Sequence, residues 1–125
     1  QPLGAVALSP WTDLTQSGKT MVTNENIDPI INKKYLDRFA KLYFPDSNNM
    51  SHLASPIIGE LSGLPDMLIQ VGSAETMLDD SKRFYEKAKK ANVNIKLEIK
   101  TPIILFELTD SLSKLFDINP PTLFF

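Results

Sequence analysis

Residues 67–99 constrain the fold of this chain most. They open on MLIQV (67–71), apolar except for Gln70, as expected of a strand covered on both faces in a parallel sheet. SKRFYEKAKKA (81–91) follows, with Phe84, Ala88 and Ala91 on one helical face and Lys87, Lys89 and Lys90 suited to its C-terminal dipole. Those lysines read as a solvated face. Asp79, Asp80 or Ser81 can cap this helix, and Asn92 can end it. VNIKLEI (93–99) then alternates strictly, with Val93, Ile95, Leu97 and Ile99 on one face and Asn94, Lys96 and Glu98 on the other. A period of two marks a half-exposed strand, most simply near a sheet edge. Strand, helix and strand with short connections predict a right-handed βαβ unit, and with it an α/β fold.

Upstream, AVALSP (5–10) is a short apolar run closed by a turn signal and reads as a buried strand. WTDLTQSGKT (11–20) is a polar loop, in which Asp13 is expected to bond nearby backbone N–H groups in a turn. Asp28 before Pro29 reads as a helix start, followed by Ile31, Tyr35, Phe39 and Leu42 at helical spacing. MSHLASPIIGELSGLP (50–65) is a loop-rich connector. Beyond residue 100 the chain is apolar but poorly patterned, with a final helix expected from about residue 110 to residue 116.

With 125 residues and 42% hydrophobic content, the chain suffices for one domain with a core. Thirteen basic and fifteen acidic side chains give a net charge of −2, with no block of one sign to form a nucleic-acid groove or meet an anionic membrane. The absence of cysteine excludes disulfides, thiol nucleophiles and thiolate metal sites, and fits a reducing, cytoplasmic setting. No apolar run approaches the roughly 20 residues of a membrane-spanning helix. No metal-ligand cluster or phosphate-cradling glycine loop occurs, so no cofactor is expected.

GAVALSPWTDLTQSG, ASPIIGELSGLPDMLIQVGSAETMLDDSKRFYEKAKKANV and KLEI together resemble the C-terminal part of the hormone-sensitive-lipase-type carboxylesterases. The resemblance covers residue 2 to about residue 99. It implies the last three strands of a mostly parallel α/β-hydrolase sheet, with flanking helices. It divides residues 1–125 into a partial hydrolase domain holding a cap segment at 24–49 and a divergent tail at 100–125. Trp11 would pack under that cap, and Tyr35, Phe39 and Tyr43 would belong to its core. The resemblance implies hydrolysis of short-to-medium acyl esters by a Ser–acid–His triad, and the alignment places the acid on Glu75, with Asp79 as second choice. Such an acid accepts a hydrogen bond from the histidine ring and stabilises the imidazolium formed when serine attacks.

The rest of the triad is not evident. The G-x-S-x-G nucleophile elbow and an HGGG-type oxyanion segment are absent. Ser73 lies in the acid loop and lacks the glycine an elbow requires. His52, the only histidine, sits in the connector before the strand, where a loop or packing role is expected. The resemblance would put the histidine near Ile104 or Leu105, neither of which can take a proton. The expectation is a piece of a longer esterase that is inactive alone, its tail degraded or frame-shifted, or else a divergent non-catalytic paralogue. Two alternatives stand beside it. One is an interaction protein that dimerises through the strand at 93–99; the other is part of a different α/β-hydrolase, such as a peptidase.

Overall fold

A computed structural model describes residues 2–45 and 51–101. The elements are β1 (Gly4–Leu8), α1 (Thr20–Thr23), α2 (Lys33–Tyr43), β2 (Asp66–Gly72), α3 (Leu78–Lys90) and β3 (Ile95–Lys100). The helix expected at 110–116 lies outside the described residues, as do Ile104 and Leu105.

The strands form one parallel sheet in the order β1-β2-β3, with β2 in the middle. Val6 pairs with Leu68, and Leu68 with Lys96, so the register aligns the side-chain rows of all three strands. On one face Ile69 meets Phe84 and Ala88 of α3, joined by Leu61 and Val93. Met67, Ala7, Ile95, Leu97 and Ala91 pack around that cluster. The expected buried face of α3 is therefore present. Asn92 follows the helix at φ 60°, the left-handed geometry common just past a helix end.

The other face departs from the sequence expectation for MLIQV. Leu68 and Gln70 are half-buried, while Val6 and Leu8 of β1 are 66% and 45% exposed. The difference follows from layering, since α3 packs on the opposite face of the sheet. Across this open face the chemistry grades from Val6 and Leu8 to a polar side where Gln70 Nε2 donates to Glu98 Oε2 at 2.8 Å. The alternation of β3 also breaks at its end, because Ile99 is 46% exposed.

A second cluster joins Met21, Leu36 and Met77, with Trp11 and Ile31 against it. It fastens α2 to the segment after β2. Helix α2 begins later than the Asp28–Pro29 signal suggested: Asn32 is its N-cap, and its side chain accepts from Tyr35 N at 3.0 Å. Its Tyr35, Phe39 and Tyr43 are exposed, at 55%, 55% and 72%, rather than forming a core. Only Leu36 of that helix is buried, since the Met21–Met77 cluster lies against one narrow stripe. With Trp11, Leu14 and Leu53, Phe39 and Tyr43 line an apolar groove of about 640 Å³. No helix among the described residues is long and apolar enough to cross a membrane.

Candidate functional site

Glu75 sits just past the carboxyl end of the middle strand, the position where open α/β sheets carry their working groups. Gly72 closes β2, and its carbonyl accepts from Glu75 N at 3.3 Å, which turns the chain at once. Ser73 N extends the ladder to Lys100 O at 2.7 Å. The loop then runs into α3, with Leu78 N donating to Glu75 O at 3.3 Å. Glu75 is 6% exposed.

The segment leading to α2 holds this loop by its backbone. Asn24 Nδ2 donates to Glu75 O at 3.0 Å and to Ser73 O at 3.4 Å. Thr20 Oγ1 donates to Thr76 O at 2.8 Å and accepts from Asp79 N at 2.9 Å. Asp28 Oδ2 accepts from Thr76 N at 2.8 Å and from Thr76 Oγ1 at 3.1 Å. Buried backbone groups must find partners, and here side chains from 20–28 supply them.

The acidic pair after the loop does different work from the capping expected of it. The N-cap of α3 is Met77, with no side-chain capping bond. Asp79 Oδ2 accepts from Lys19 N at 2.7 Å. Asp80 is fully buried, and its Oδ2 accepts from Thr12 N and Asp13 N, both at 2.9 Å. Its other oxygen meets Arg83 Nη2 at 3.0 Å, and the same nitrogen reaches Asp13 Oδ2 at 2.9 Å. The tertiary demand of those loop amides outcompetes local capping. The approach is also close at Gly18, where an added Cβ would stand 3.1 Å from the Asp79 Cβ.

Asp13 behaves as its turn position suggested, accepting from Thr15 N at 2.9 Å and Ser17 N at 3.2 Å. Burial by itself would raise its pKa; the hydrogen bonds from Ser17, Thr15 and Arg83 outweigh it and bring the value down to about 2. For Asp80 burial wins, and its pKa is raised despite the amides of Thr12 and Asp13 and the Arg83 guanidinium. Lys87, read as part of a solvated face, instead donates through Nζ to the carbonyls of Ile57 and Gly59 and pins the connector to α3.

His52 is exposed, and its Cβ stands 3.0 Å from where a side chain on Gly59 would begin, in keeping with a loop role. Ser73 lies in the loop after β2. Among the described residues, no group of three or more His, Cys, Asp or Glu side chains could hold a metal ion. Sequence reasoning missed Thr20, Asn24, Asp28 and Thr76 as a unit, because bonds between segments so distant leave no local pattern. The Asp80–Arg83 pair did have a signal in its i,i+3 spacing.

The family model for the alpha/beta hydrolase fold matches residues 1–101. An esterase of Acinetobacter venetianus is 38% identical over 101 residues, covering 80% of this chain and 33% of that protein. An acetyl-hydrolase of Streptomyces hygroscopicus is 37% identical over 97 residues, covering 78% of this chain and 32% of that protein. The crystal structure of an esterase from the bacterial hormone-sensitive lipase family superposes with a TM-score of 0.78 at 40% identity, over 82% of this chain and 35% of that one. The chain belongs to the α/β-hydrolase family, and over most of its length it is similar to esterases, one of them from the bacterial hormone-sensitive lipase family. It spans about a third of the length of the relatives it matches.

Proposed function

We propose that this chain is part of a serine carboxylesterase acting on short-to-medium acyl esters, and that Glu75 is the acid of its triad. The observation that carries the reading is the placement of Glu75: buried, past the end of the middle strand, in a loop tied at successive backbone groups. Hydrolysis would proceed by serine attack on the ester carbonyl, with histidine taking the serine proton and the carboxylate holding that histidine in its working tautomer. The released alcohol would leave an acyl-serine for water to cleave. The apolar groove lined by Trp11, Phe39 and Tyr43 has the size and character of a small acyl site.

Residues 1–125 contain no G-x-S-x-G elbow and a single histidine, His52, in the connector. Alone, the chain therefore hydrolyses no ester. Two preparations test the reading: the purified chain, and a hybrid in which residues 2–101 replace the matched segment of the Acinetobacter venetianus esterase. The chain should leave p-nitrophenyl butyrate untouched while the hybrid cleaves it. Turnover by the chain itself, free of host esterase, would refute the inactive reading, and a folded but inert hybrid would refute the esterase one.

A homodimer through β3 has one supporting observation, since β3, like β1, is an outer strand of the sheet among the described residues. Light scattering that reads the mass of a single chain rejects it.

A further inference from the structure

Asp28 is a buried carboxylate that the triad chemistry does not use. Its two oxygens serve different segments. Oδ1 accepts from Ile30 N at 2.9 Å and Ile31 N at 3.0 Å, shaping the turn that leads into α2. Oδ2 accepts from Thr76 N at 2.8 Å and Thr76 Oγ1 at 3.1 Å, in the residue next to Glu75. Thr76 is itself fully buried, so its N–H has no recourse to solvent.

We infer that Asp28 is a positioning residue for the acid loop, which ties the aim of Glu75 to the placement of α2. The inference rests on the reading of Glu75 as the triad acid. A carboxylate is the side chain this position needs, because all of its bonds are accepted ones and both oxygens are engaged. Asparagine offers one acceptor and one donor. If its oxygen keeps Ile30 N and Ile31 N, its amide group faces Thr76 N, donor against donor. The Thr76 hydroxyl can rotate to accept, but the Thr76 N–H cannot. Asp28→Asn therefore cuts the link to the acid loop while leaving the local turn.

Helix α2 carries the groove residues Phe39 and Tyr43, so the same carboxylate connects the groove wall to the acid. Without the tether, the loop would keep Asn24 and Thr20 as anchors but lose the one nearest α2.

The test uses the full chain and amide hydrogen exchange read by NMR, together with the Glu75 carboxyl-carbon resonance. In Asp28→Asn, the Thr76 amide should exchange at least about tenfold faster, as expected for an orphaned buried donor. Ile30 and Ile31 should keep their protection, and the Glu75 resonance should shift. Asn32→Ala serves as the control, since it removes the α2 cap without touching the loop. It should leave Thr76 and Glu75 unchanged. The inference is overturned by unchanged Thr76 exchange, by an unmoved Glu75 resonance, by loss of protection at Ile30 and Ile31 together with Thr76, or by an Asn32→Ala variant that reproduces the effect. A wrong assignment of the acid would show elsewhere, as undiminished ester turnover in a Glu75→Gln hybrid with the Thr76 result intact.

Discussion

Glu75 and Asp80 lie on the same short stretch and both are buried, and their surroundings differ. Asp80 is held by its side chain: both carboxylate oxygens are engaged, by two backbone amides and a guanidinium. Around Glu75 the tethers fall on the main chain, with Asn24 on its carbonyl and Asp28 and Thr20 on its neighbour Thr76. A carboxylate that satisfies the backbone of another loop is scaffold. Under the proposed reading, the tethers around Glu75 hold the loop that presents it.

Breaking the scaffold side should cost most. Asp80→Ala orphans Thr12 N and Asp13 N and leaves Arg83 with Asp13 as its one charged partner among the described residues, beside the Ser17 hydroxyl, so urea unfolding should show a loss of about 3 kcal/mol. That figure sits at the low end for a buried pair because the Arg83 side chain is 35% exposed. A loss near zero would mean the loop at 12–17 is held by other contacts. Next in size is Asn24→Ala, which should cost about 1–2 kcal/mol by leaving Glu75 O without its side-chain donor.

Asp13 sharpens the same contrast through pH. Its pKa is depressed from 3.8 to about 2, so the native state binds fewer protons than the unfolded chain across that interval. The stability it contributes is complete above pH 3.8 and is lost as pH falls toward about 2. Asp80, with its pKa raised, has the opposite sign and partly offsets the loss in acid. The gap in stability between the wild type and Asp13→Asn should therefore close on acidification, and thermal melts across that range would read it. A gap independent of pH would mean that the Asp13 charge does not matter.

The parallel β2–α3–β3 unit was legible in the sequence because length and period agree there: an apolar run, a helical face of Phe84 and Ala88, and an alternating strand. Glu75 was legible as a strand-end carboxylate for the same reason. Misreadings arose where a side chain serves a distant segment. Asp28 looked like a helix cap, but one of its oxygens belongs to Thr76, and Asn32 caps α2 instead. Asp79 and Asp80 sit in the first turn of α3, where capping was the economical reading, yet their partners are Lys19, Thr12 and Asp13. Lys87 follows the same rule with Ile57 and Gly59. Local pattern names the residue type a position needs; it does not say which amide, many residues away, will use it.

The most direct measurement compares Glu75→Gln, Asp79→Asn and Asp80→Asn in the hybrid esterase, each checked for folding and assayed on p-nitrophenyl butyrate at saturating substrate. If Glu75 is the acid, Glu75→Gln lowers kcat by about 10³–10⁴ with the fold intact, as loss of a triad carboxylate does. Asp79→Asn and Asp80→Asn, where folded, keep kcat within about tenfold of the parent hybrid. A Glu75→Gln hybrid that retains its turnover, or an Asp79→Asn hybrid that loses it, would contradict the account.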